Sequence, residues 1–137
     1  MDQALVDSMW QYLNAGLAMD VDALETLYDP TFENLRYDEA GRTVTLTRAQ
    51  FMARFRALRA SGQTVGDALD DVEFVATSHY GDNASIIMRR TKDGEPVLYN
   101  FVWRLEAGRP VAIVREFTQE RDLAPLLALI SRTVTEV

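Results

Sequence analysis

Leu5, Met9, Tyr12 and Leu13 recur at the three- and four-residue spacing of one helix face, and Val6, Trp10 and Leu17 widen that stripe. The pattern predicts a well-buried first helix from Asp2 to about Ala18. Asp20 is placed to cap a short second helix through Tyr28, with Val21, Leu24 and Tyr28 on one side and Asp29-Pro30 as its stop. Phe32–Tyr37 and Arg42–Leu46 read as short strands around Asp38-Glu39-Ala40-Gly41. Thr47 followed three residues later by Gln50 is a capping box, so a third helix runs to about Ala60 and stops at Ser61-Gly62.

Beyond Asp67 the period drops to two and β-branched and aromatic residues accumulate, predicting strands near 69–79, 84–92, 96–106 and 110–119. Tyr80-Gly81-Asp82-Asn83, Asp93-Gly94 and Ala107-Gly108-Arg109 are the turns, so the expected sheet is antiparallel. Asp122 to about Thr133 reads as an apolar helix through Leu123, Leu126, Leu127 and Ile130, with Pro125 tolerated in its first turn. In the strand at 96–106, alternation puts Tyr99, Phe101 and Trp103 on one face and Leu98, Asn100, Val102 and Arg104 on the other.

With 137 residues and 47% apolar composition, the chain is expected to form a single domain over 1–137 with one core. No apolar run approaches the roughly 18 residues of a membrane span, and the acidic start lacks the pattern of a secretory leader, so no membrane association and a cytoplasmic location are expected. With no cysteine, and His79 as the only histidine, thiol chemistry, zinc-thiolate sites and multi-histidine metal sites are excluded; no cofactor is called for. His79 precedes a turn, where an exposed imidazole is the ordinary expectation. Asp67, Asp70 and Asp71 lack the spacing of a calcium loop and read as a solvated strand start.

Charge is uneven. Residues 1–39 hold nine acids against Arg36, whereas residues 40–66 hold Arg42, Arg48, Arg54, Arg56 and Arg59 without an acid. A net charge of −7 opposes approach to a polyanion, so those arginines are expected to meet acids of the same fold rather than nucleic acid.

The order of these elements, together with Asp20-Val21-Asp22-Ala23-Leu24 and Gly108-Arg109-Pro110-Val111, resembles the nuclear transport factor 2-like superfamily over about residues 4–120. The resemblance implies an α+β cone of the cystatin-like type. In it a curved antiparallel sheet wraps around three N-terminal helices, and here a C-terminal helix near 122–134 is added. That superfamily includes ketosteroid isomerases, SnoaL-type polyketide cyclases and limonene epoxide hydrolases. In the isomerase register Tyr12 falls on the oxyanion-hole tyrosine and Tyr28 on its supporting tyrosine. The base position falls on Arg36, the acid position on Phe101 and a third tyrosine on Phe55, so steroid-type isomerisation would need Asp38 as base. A SnoaL-type cyclase would place its acid near Thr118, two residues after Glu116, and the paired aspartates of an epoxide hydrolase are not evident.

The same register turns Tyr99, Phe101 and Trp103 into the cone, with Ala84, Ile86 and Met88 from the preceding strand and Ile113, Arg115 and Phe117 from the last one. Met52 and Phe55 of the third helix would close it, and Tyr28 joins this ligand-binding set. The candidate catalytic residues are therefore Tyr12, Arg36, Asp38, Arg115 and Glu116. Arg36 and Arg115 would hold an anion or be neutralised internally, Tyr12 would donate to a developing oxyanion, and Asp38 or Glu116 would act as base. The expected activity is binding of a hydrophobic small molecule with or without an anionic group, with a metal-free isomerase-, cyclase- or dehydratase-like step. The alternative is a non-catalytic homodimeric scaffold with a filled cone, paired through its sheet or its C-terminal helix.

Overall fold

The computed structural model describes residues 1–66 and 68–135; Asp67, considered above for a cation, lies outside the described residues. Helix α1 (Gln3–Leu17) starts where the Asp2 carboxylate accepts the Leu5 N–H at 3.2 Å, and its buried positions are Leu5, Met9, Tyr12 and Leu13. Helix α2 (Val21–Leu27) is capped by Asp20 through the Ala23 N–H and ends one residue before Tyr28, which is already extended. Strand β1 (Tyr28–Tyr37) thus begins four residues earlier than the pattern suggested. Strand β2 (Thr43–Thr47) leads into α3 (Arg48–Ala60) through the expected capping box, with both reciprocal bonds formed by Thr47 and Gln50.

Strands β3 (Glu73–Tyr80), β4 (Asn83–Lys92), β5 (Glu95–Glu106) and β6 (Arg109–Gln119) form the predicted meander. Asp93 and Gly94 both take positive φ, 52° and 79°, as the tight hairpin requires. The sheet order is β2-β1-β6-β5-β4-β3, and β1 lies parallel to β6. That pair corrects the expectation of a purely antiparallel sheet. Helix α3 carries the chain to the far edge, and four alternating strands then bring β6 back beside β1 in the same direction. The architecture is the expected one: three N-terminal helices packed against one curved face, with α4 (Ala124–Thr135) added after β6.

Two cross-strand rows line the inner face: Asn34, Glu116, Phe101 and Ile86, then Arg36, Thr118, Tyr99 and Met88. A third row, Tyr28, Ile113, Trp103 and Ala84, is buried, and there the Trp103 indole N–H points at Met9 Sδ, 3.4 Å away. The registers Val102–Arg115 and Trp103–Ile113 leave Val114 as an extra residue in β6. This bulge reverses the parity of the strand beyond it. Ile113 faces inward as expected, but Glu116 and Thr118 take the inward positions and Arg115 and Phe117 turn to the outer face, correcting their assignment to the cone interior.

Candidate functional site

Between α1, α2, α3, the residues Val65, Gly66, Ala68 and Leu69, and the inner faces of β1, β4, β5 and β6 lies a cavity of about 460 Å³, a size suited to a small organic molecule. Its apolar and aromatic wall includes Tyr12, Leu13, Leu24, Phe55, Met88, Tyr99 and Phe101. Its charged lining is Arg36, Arg54, Arg90, Lys92 and Glu116. The cone is therefore not filled.

Glu116 reaches this wall because of the bulge at Val114. Its neighbours in the row are Phe101 and Asn34. Asn34, fully buried, donates from its side-chain amide to the Glu116 main-chain carbonyl at 3.2 Å and to Thr118 Oγ1 at 3.1 Å. Glu116 Oε2 is left buried without a hydrogen-bond partner among the described residues. Burial pushes the Glu116 carboxyl up to about 7; the Arg36 guanidinium, the Asn34 amide and Arg54 pull it the other way without winning. A carboxyl poised near neutrality on the wall of a cavity is the chemistry of a group that gives or takes protons.

Arg36 shares the inner face two residues along β1. Its Nε donates to Asn34 Oδ1 at 2.8 Å, and its Nη1 lies 3.5 Å from Glu120 Oε1. Asn34 thus links the guanidinium to β6. Tyr12 and Tyr28 bring their hydroxyls to 2.6 Å from one another inside the core. Burial raises both well above the ordinary phenol range, helped for Tyr12 by the Glu116 charge and for Tyr28 by Tyr12, so at neutral pH both keep their protons. One proton joins the two oxygens. The second remains available for donation, and Tyr12 is the member of the pair that lines the cavity.

Of the other charged groups at the cavity, Arg90 and Lys92 have partners. Arg90 holds the Asp71 carboxylate at 2.9 Å and the Ala68 carbonyl at 2.8 Å, and with the Thr91 N–H it draws Asp71 down to about 2. Lys92 lies 3.3 Å from Glu120 Oε1. Arg54 makes no hydrogen bond or ion pair with the described residues, and its charge is felt at Glu116.

The sequence candidates thus divide. Tyr12, Arg36, Glu116, Phe55, Met88, Tyr99 and Phe101 are brought together on the cavity wall. Tyr28, Met52, Ile86 and Trp103 are inside the cone but in its packed core, all nearly inaccessible, so they support the wall rather than form it. Three candidates lie elsewhere. Arg115 donates to the Thr31 and Val114 carbonyls at 2.6 Å and pairs with Glu33 at 3.4 Å on the outer face. Phe117 sits there beside Leu35 and Asn100.

Asp38 is a turn clamp and not a base. It accepts the Ala40, Arg42 and Leu123 N–H groups and the Arg42 guanidinium. The Leu123 N–H first, with Arg42, holds its carboxyl below the usual range. His79 Nε2 lies 2.8 Å from Asp2 Oδ2, outside the cavity. No group of three potential metal ligands occurs among the described residues.

Sequence reasoning missed Asn34 and Arg54. Asn34 could have been found as the same-face neighbour of Arg36, two residues apart on a strand. Arg54 carries no comparable signal, since it is one of five arginines on a polar stretch.

Comparison with solved structures places the fold. The chain is similar to a nuclear transport factor 2-like protein of unknown function from Silicibacter pomeroyi, with 21% identity, a TM-score of 0.61, and coverage of 85% of this chain and 92% of that one. It is also similar to one from Shewanella baltica, at 11% identity, TM-score 0.58 and coverage of 85% and 90%. A third, from Cytophaga hutchinsonii, gives 19%, 0.57, 87% and 98%. No family model matches the sequence, and no curated protein matches it.

Proposed function

We propose, from the premise that this chain has the nuclear transport factor 2-like fold, that its cavity binds a small, largely apolar molecule and that Glu116 moves a proton on it. The fold does not select a reaction, so the reading rests on the site. The observation that carries it is the Glu116 carboxyl, buried on the cavity wall with one oxygen unpartnered. Tyr12, kept protonated by burial and backed by Tyr28, would donate a hydrogen bond to an oxygen that gains charge as the proton leaves. Arg36, held by Asn34, would steady the ionised state of Glu116. The class of chemistry is proton abstraction followed by isomerisation, cyclisation or elimination, carried by side chains alone.

A generic probe tests the proton-transfer step. In 5-nitrobenzisoxazole, a base removes the ring C–H proton while the N–O bond breaks, giving a nitrile and a coloured phenolate. The protein should accelerate this reaction above buffer, with a rate that rises with pH through about 7 as Glu116 loses its proton, and Glu116→Gln should abolish the acceleration. A rate equal to buffer, or one unchanged in the variant, defeats the reading. Assembly as a homodimer is also proposed: half-buried Leu35, Phe117 and Ile87 share one row across the outer sheet face. Native mass spectrometry would report twice the chain mass, and a lone chain mass at micromolar concentration would refute it.

A further inference from the structure

The cavity is asymmetric in a way that the proton-transfer reading does not use. Its deep wall, with Leu24, Met88 and Phe101, is inaccessible and apolar, whereas Arg54, Lys92 and Val65 at its rim are exposed. Among the described residues four cations line it, Arg36, Arg54, Arg90 and Lys92, against one acid, Glu116. Partners outside the lining, among the described residues, do not restore balance. Asp71 answers Arg90, and one Glu120 carboxylate is shared by Arg36 and Lys92. Arg54 is left over.

In an acidic chain this surplus is local and unusual. Three of the other arginines in residues 40–66 are engaged: Arg42 with Asp38 and Asp122, Arg48 with the Glu25 and Tyr28 carbonyls, Arg56 with Glu25. Arg59 lines a separate depression with Asp20 and Asp22. Arg54 alone of the five stands at the cavity.

We infer that the molecule bound in this cavity carries a single carboxylate on an apolar ring body, with the body against Met88, Tyr99 and Phe101 and the carboxylate received at the mouth by Arg54. This rests on the reading of the cavity as a small-molecule site and names the class of molecule. A guanidinium presents two parallel donors to a carboxylate, and the remaining rim cations add attraction from a distance. A cationic ligand would meet like charge. A doubly charged phosphate would set its second charge against Glu116 and Glu120, whereas a single carboxylate matches the surplus.

Titration calorimetry with 2-naphthoate and the neutral, near-isosteric 2-naphthamide tests the inference on the full chain. The wild-type protein should bind the carboxylate about fivefold to tenfold more tightly than the amide, a modest ratio because Arg54 is exposed to solvent. In Arg54→Leu the ratio should fall below about twofold, and in Arg56→Leu, on the same helix but paired with Glu25, it should persist. Equal affinities in the wild type would overturn the inference and leave the small-molecule site standing. Loss of the ratio in both variants would mean general surface charge, and its retention in both would clear Arg54; either overturns the assignment. Binding of neither probe would overturn both this inference and the reading it rests on.

Discussion

Glu116 can be tested through stability as well as reactivity. Its folded value of about 7 lies above the ordinary 4.5, so the native state holds the proton more tightly than the unfolded chain. Between those values stability falls as pH rises, and above about 7 the full cost of an ionised buried carboxylate is present. Glu116→Gln removes that cost. The variant should therefore exceed the wild type by on the order of 3 kcal/mol at pH 8 and lose that advantage as pH falls toward 4, measured by urea unfolding across pH. Tyr12→Phe should act in the opposite direction, because the Tyr28 hydroxyl loses its partner at 2.6 Å inside the core; a loss of about 1–3 kcal/mol is expected in the same assay. Arg115→Leu should leave the affinity for 2-naphthoate unchanged in calorimetry, since that guanidinium is tied to Thr31 and Glu33 outside the cone.

Single elements decide which residues those are. Alternation along β5 was fully readable: Tyr99, Phe101 and Trp103 do face inward. The same rule applied to β6 works at Ile113 and fails from Arg115 onward, because one additional residue changes every later side chain to the other face. Val114 is an ordinary strand residue, and no glycine or proline marks the bulge in the sequence. Deleting Val114 should remove the bulge and keep the pairs Val102–Arg115 and Trp103–Ile113 in plain alternation, so Glu116 and Thr118 should stay inward and the pH dependence of stability that Glu116 sets should survive in a urea melt. Asp38 shows the same dependence on place. Adjacent in sequence to a strand that lines the cavity, it instead joins the β1–β2 turn to the approach to α4 through the Leu123 N–H. Asp38→Ala should speed amide hydrogen exchange at Ala40, Arg42 and Leu123 while leaving the β5–β6 ladder protected.

At the scale of the molecule, the cavity keeps space where α1 presents a glycine to it in place of a side chain. Gly16 of α1 lies on its lining, and a side chain added there would meet nothing within 4 Å. Gly16→Leu should raise stability by up to about 1 kcal/mol through helix propensity. It should also weaken binding of both naphthyl probes by occupying their space, so melting and calorimetry would move in opposite senses.

The sequence by itself determined the element types, the caps, the tight Asp93-Gly94 turn and the inward faces of β4 and β5, because each depends on neighbours within a few residues. It also placed Tyr12, Arg36 and Glu116 among the candidates. Only the tertiary structure decided that β1 runs parallel to β6, that Glu116 rather than Arg115 faces the cavity, and that Arg54 stands at its mouth with no carboxylate paired to it among the described residues. Those outcomes depend on which strands pair and in what register. That choice belongs to contacts between residues some 80 positions apart, such as Asn34 with Glu116 and Thr118, and local periodicity carries no record of it.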